Sequence, residues 1–141
     1  MNMKTLLQKL ALGYAFLFLG VFLMNYIPFI HDAEGKMFGL FKLDWRGNAL
    51  HLASAVWAFS AALCSERASI FYFKWFGTAY LFDGFLGFFY GCGYLDGGIW
   101  LRTNCPTTTF AKIATNIPHI LIGGLAMIIG FHLVKRLKAK Y

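Results

Sequence analysis

Two short strings hold the residues best able to do chemistry in this 141-residue chain: Asn48-Ala49-Leu50-His51 and Asn116-Ile117-Pro118-His119. Both are Asn-x-x-His, and residues i and i+3 share one face of a helix. Each string therefore presents an amide and an imidazole together. Two imidazoles on separate bundle helices are able to serve as axial ligands of one b-type haem. A quinone-binding electron carrier using His51 and His119 is the related reading. The plainer reading is an interhelical hydrogen-bond cluster of Asn48, His51, Asn116 and His119, for which no cofactor is expected. His132 lies 13 residues beyond His119, but the corresponding positions of the other string are Cys64 and Ser65, so a second haem has no support.

Asp83 is the next candidate, because it interrupts an apolar run. On a spanning helix it falls near the bilayer midplane, where a carboxylate is costly unless paired, hydrated or protonated. It fits a proton relay, a cation site of a small transporter, or a partner for His51 or His119. The structural alternative is a protonated acid bonded to a backbone carbonyl, Ser54 or Thr78.

Cys92 and Cys105 flank residues 93–104, while Cys64 lies at the far end of another apolar run. An outward-facing loop of a membrane protein is in an oxidising compartment, so a Cys92–Cys105 disulfide is expected. There is no Cys-x-x-Cys and no metal-ligand spacing, which argues against zinc or an iron–sulfur cluster. The neighbouring His31 and Asp32 are poor evidence for a metal site. No nucleophile stands beside a plausible base, so classical hydrolysis is disfavoured.

The elements that position these residues are apolar runs. The chain is 59% apolar, only 13% charged, and has a mean hydropathy of +0.59. A soluble domain is nearer half apolar and a quarter charged. Four runs, about 10–29, 46–65, 70–91 and 113–134, approach the roughly 20 residues that cross a hydrocarbon core. The first is too long for a signal-peptide core and ends in Asn25-Tyr26-Ile27-Pro28, not in a small-residue cleavage site. The expected fold is all-α: a four-transmembrane-helix bundle, one integral membrane domain over 1–141.

Lysines and arginines orient such a bundle. Lys4, Lys9, Arg67, Lys74, Lys135, Arg136, Lys138 and Lys140 fall on one side, against Lys36, Lys42, Arg46, Arg102 and Lys112 on the other. The eight-to-five split predicts cytoplasmic N and C termini. The net charge of +7 sits mostly at segment ends, where it meets anionic lipid and gives no argument for nucleic acid. The first loop, 31–47, mixes charges with Met37, Phe38, Leu40, Phe41 and Trp45, as an interfacial segment does.

A duplication fits the spacings. Asn48 to Asn116 and His51 to His119 are each 68 apart, Tyr14 to Tyr80 is 66, and Gly20 to Gly87 is 67. Two hairpins, 1–66 and 67–141, would form a parallel repeat about an axis along the membrane normal. Met37-Phe38-Gly39-Leu40-Phe41, followed by Asn48-x-x-His51 and a helix rich in small residues, resembles a bacterial family of four-helix integral membrane proteins of unknown function. The resemblance covers mainly the first two helices. It implies a four-helix fold in the bacterial cytoplasmic (inner) membrane, and no chemistry.

Three functions follow. The first is a non-catalytic accessory subunit packed against other membrane subunits, for which the Phe-rich third run offers lateral surface. The others are the haem- or quinone-binding carrier and a proton-linked transporter using Asp83.

Overall fold

The computed structural model describes residues 5–40, 42–102 and 105–139. Lys4, Phe41, Asn104 and Lys140, used in the sequence reading, lie outside the described residues, as does the Lys138 side chain. The described residues are helical and contain no strand, only an isolated bridge between His31 and Met37.

Helix α1, Leu6–Met24, begins with a capping box. The Gln8 N–H donates to the Thr5 hydroxyl at 3.4 Å and the Thr5 N–H to Gln8 Oε1 at 3.1 Å. The Gln8 amide nitrogen also donates to the Ala62 carbonyl at 3.0 Å, fixing the start of α1 beside the end of the next helix. The apolar run expected to span 10–29 is helical only as far as Met24. Pro28 disfavours helical backbone at Ile27, which is extended, and Pro28–Ile30 forms a separate 3₁₀ turn.

Asp44 caps α2, Trp45–Cys64, accepting from the Arg46 N–H at 3.1 Å and the Gly47 N–H at 2.9 Å. Burial alone would raise this carboxyl, but the Gly47 bond and the paired Arg46 guanidinium hold it below the ordinary carboxylate range. One extended residue, Ser65, closes α2 and caps α3, Glu66–Tyr90. Its hydroxyl accepts from the Ala68 N–H at 3.1 Å. Gly91, at φ +91°, ends α3 in the left-handed conformation that favours glycine.

After the short helix α4, Gly98–Leu101, helix α5 runs Thr109–Met127. It continues through a π-helical segment, Ile128–Leu133, into α6, Val134–Lys138. Helices α1, α2 and the continuous run Thr109–Leu137 are long and apolar enough to cross a membrane. Helix α3 is longer than the first two, but Glu66, Arg67, Lys74 and Asp83 lower its hydropathy.

The most extensive packing joins α1 to α2 and α3 to α5. In the first pair, Ala55, Ala58, Ala61 and Ala62 leave room for Leu7, Tyr14 and Phe18. In the second, glycines bring backbones together. A Cβ at Gly77 would lie 2.7 Å from the Met127 nitrogen, and one at Gly84 would lie 2.8 Å from the Ile120 nitrogen. A Cβ at Gly123 would collide with the Leu81 backbone. Between the pairs stands an aromatic core. Phe76 stacks on Tyr72 at 4.8 Å and on Tyr80 at 4.9 Å, with the edge of Phe18 5.2 Å away. These contacts give successive long helices opposite directions, and they place His51, Asp83 and His119 at the end that bears the disulfide.

Candidate functional site

Asp83 lies on the inner face of α3, its side chain only 4% exposed. His119 projects from α5 directly opposite, because Gly84 lets the two backbones close. The His119 Nδ1–H donates to Asp83 Oδ2 at 2.9 Å. The other carboxylate oxygen accepts two backbone N–H groups, from Tyr94 at 2.7 Å and Leu95 at 2.8 Å. Gly93 makes this possible: a Cβ there would collide with the Asp83 carboxylate, so only glycine lets the loop wrap the acid. The loop is tied down at both ends. The Tyr94 hydroxyl donates to the Ala79 carbonyl at 3.0 Å, and Cys92 is disulfide-bonded to Cys105, 13 residues on. Burial, then the Asp83 charge, raises the Tyr94 hydroxyl above the ordinary tyrosine range.

The arrangement defines the protons. A carboxylate that accepts from Nδ1–H leaves Nε2 of neutral His119 as a hydrogen-bond acceptor. Tyr80, one turn before Asp83, stacks on the His119 ring at 4.4 Å, and its hydroxyl lies 3.3 Å from His51 Nε2. A hydroxyl donating to Nε2 leaves the His51 proton on Nδ1. That atom is buried, and the Gly47 carbonyl one turn back lies near it without completing a hydrogen bond of good geometry. The two imidazoles are 6.4 Å apart, edge to face, and Phe18 stacks on His51 at 6.0 Å.

Two cavities meet at this pair. One, of about 90 Å³, is lined by His51, Asp83, Thr115, Asn116 and His119, with Lys42, Asp44 and Asp96 from the adjoining loops. The other, of about 210 Å³, is almost wholly apolar and runs between α1 and α5, past Phe18, Met24, Pro118 and Ile122. His51, Thr115 and His119 line both. Four buried side-chain polar atoms lack a partner among the described residues, and two of them, His51 Nδ1 and Thr115 Oγ1, belong to these shared walls.

The sequence-predicted residues are thus only partly brought together. His51 and His119 both face inward, and Asp83 joins His119. Asp83 is not an isolated acid at mid-helix depth, because the loop reaches it. Its alternative partners are elsewhere: Ser54 and Thr78 donate to the Leu50 and Lys74 carbonyls of their own helices. The asparagines are buried but do not join the histidines. Asn48 donates to the Tyr26 hydroxyl at 3.2 Å, and Asn116 donates to the Lys112 carbonyl at 2.9 Å while packing on Gly87. His31 Nδ1 donates to the Ile27 carbonyl at 2.8 Å.

Sequence reasoning missed Tyr80, Thr115 and Gly93. For Tyr80 the signal was present, since positions 80, 83, 84 and 87 share a helix face. The residues do not fit a haem held between the imidazoles. The Tyr80 hydroxyl already meets His51 Nε2, and its ring covers His119. Among the described residues, no three His, Cys, Asp or Glu side chains converge as a metal site would require. Comparisons with known families, with curated proteins and with solved structures find no match for this chain.

Proposed function

We propose that this is a four-span integral membrane protein, both termini cytoplasmic, that binds a one-ring quinone or quinol between α1 and α5. The observation that carries the reading is the pair of cavities meeting at His51, Thr115 and His119, where the buried Thr115 hydroxyl has no partner among the described residues. Unsatisfied buried polar atoms beside an apolar cavity are what a hydrogen-bonding ligand leaves behind. The cavities together are of the size of a single ring, and a tail would leave through the apolar one, between α1 and α5. A quinol hydroxyl would donate to His119 Nε2, while the Thr115 hydroxyl would donate to the opposite ring oxygen. Asp83 would stabilise any imidazolium formed, because its two loop N–H bonds fix the charge in place.

The topology is supported by the alternating directions of the long helices and by the basic residues near Ser65 and Lys135. In this reading α3 also crosses, its acid covered by the loop and by α5. A bacterial cytoplasmic membrane accords with the four-helix family resemblance. A second reading, an accessory subunit of a larger complex, draws on the exposed aromatic flank of α3, where Phe82, Phe85 and Phe89 are 57%, 45% and 69% exposed.

The test is titration of the purified full-length protein in mild detergent with a decyl-tailed benzoquinol, kept reduced under anaerobic conditions and followed by intrinsic fluorescence. Micromolar binding is expected, weakened about tenfold or more by His119→Phe and by Thr115→Val, a loss of at least 1.4 kcal/mol. Absence of binding, or affinity unchanged in both variants, would overturn the reading.

A further inference from the structure

At the opposite end, the start of α3 meets the π-helical segment across a groove of about 490 Å³. Arg67, Phe71, Lys74 and Trp75 line it from α3, at spacings that share one helix face, and Phe131 closes it from the other side. Its walls are apolar, with Phe71 55% and Trp75 62% exposed, yet two cations stand in it. The ion pairs among the described residues are Asp44–Arg46 and Asp83–His119, so neither Arg67 nor Lys74 has a carboxylate partner among them. The Lys74 ammonium lies 5.1 Å from the centre of the Phe131 ring.

The backbone builds this contact. A Cβ at Gly130 would lie 2.9 Å from the Lys74 nitrogen, so the π turn rests directly on α3 at that lysine. A π segment inserts an extra residue into the helix and re-aims the side chains after it, a device common at functional sites. Here it seats Phe131 against Lys74. Lys74 is eight residues into α3, about 12 Å from its start at 1.5 Å per residue. On a membrane-crossing helix that depth is costly for an ammonium unless an anion meets it or its stem carries it outward.

From this juxtaposition we infer that the groove holds one anionic phospholipid of the leaflet at the Ser65 end. Its phosphate sits between Lys74 and Arg67, and an acyl chain lies along Trp75 and Phe131. Charge complementarity selects the occupant: two cations with no carboxylate partner among the described residues, beside exposed aromatic rings, fit a lipid that joins an anion to a hydrocarbon chain. Lys135 and Arg136 on α6 add positive potential at the same end. The inference rests on the membrane-spanning reading of α3 and is independent of the quinone site.

Native mass spectrometry of the full-length protein, with equal phosphatidylglycerol and phosphatidylethanolamine, tests it. Phosphatidylglycerol should be retained roughly fivefold or more over the zwitterionic lipid. The double variant Arg67→Gln/Lys74→Gln should abolish the preference, whereas Lys74→Arg should keep it, with circular dichroism confirming that each variant folds. Brominated-chain phosphatidylglycerol should quench tryptophan fluorescence more than brominated phosphatidylethanolamine, and Trp75→Phe should remove that difference. Equal retention of both lipids, a preference that survives the double variant, or displacement by millimolar inorganic phosphate would overturn the inference. Failure of the spanning reading looks different: neither brominated lipid would then quench Trp75, whereas headgroup-independent quenching leaves the span intact and removes only the lipid site.

Discussion

The turn from Asn48 to His51 and the turn from Asn116 to His119 share residue types and spacing, and they meet two different environments. His119 faces a carboxylate that three donors hold in place, and its side chain is 20% exposed. His51 is 6% exposed, lies between Phe18 and Tyr80, and has no charged partner within bonding distance. The difference comes from the neighbouring helices. Helix α5 closes on α3 through Gly84 and Gly123, so its histidine reaches the α3 acid. Helix α2 packs on α1 through alanines, and α1 offers only apolar and aromatic side chains at that level. The same four-residue spacing thus yields an oriented acid–base pair in one place and a packed ring in the other.

The largest effect that bears on this contrast concerns the loop supplying the Tyr94 and Leu95 N–H groups. Reducing Cys92–Cys105, separated by 13 residues, should cost about 3 kcal/mol on the loop-closure estimate, read as a lower thermal midpoint in detergent. Because the loop is anchored on Asp83, the reductant effect should shrink in Asp83→Asn by more than about 0.5 kcal/mol. It should be unchanged in His51→Phe. Equal reductant effects in all three proteins would mean that the loop and the acid are independent.

Next in size is the acid itself. Asp83→Asn keeps an oxygen for the loop N–H groups but turns the contact with His119 into one between an amide and an imidazole. A destabilisation of about 1–3 kcal/mol is expected, as for a buried polar group that loses its partner. The ¹⁵N shifts of His119 should move from the Nδ1–H tautomer while those of His51 stay fixed. A His119 spectrum identical to wild type would break the assigned pairing.

What was legible in the sequence follows the same division. An acid in an apolar run at the level of two histidines signals a polar contact, and Asp83 with His119 was among the pairings it allowed. The early stop of α1 was legible too, since Pro28 carries the signal. The loop's grip on Asp83 was not, because it is made by backbone N–H groups, which every residue except proline supplies. Only Gly93 marks it, and a glycine in a loop has many explanations. Thr115 was hidden for a different reason. A threonine at a helical position is unremarkable until the packing of α1 leaves its hydroxyl facing a cavity. The two asparagines show the limit of spacing arguments: both are buried, yet each bonds outside the group that its helix face suggested.

The smallest expected effect is the sharpest test of the contrast. In His51→Phe a ring of similar shape replaces the imidazole and keeps the stack on Phe18. One long hydrogen bond to Tyr80 is lost, and membrane hydrogen bonds average about 0.6 kcal/mol. The Tyr80 hydroxyl is left without that partner, but the poorly satisfied Nδ1–H is removed as well, and these two effects roughly offset each other. The net change in stability should therefore be no more than about 0.6 kcal/mol. His119→Phe, by contrast, removes the donor opposite Asp83 and should cost as much as Asp83→Asn. The ratio between these two aromatic substitutions is the measurement that matters, because a matched structural pair would give equal losses. Equal midpoints for the two variants would return both histidines to a single packing role. A small loss at His51 beside a large one at His119 would assign the acid–base pair to α3 and α5, and the packed ring to α2.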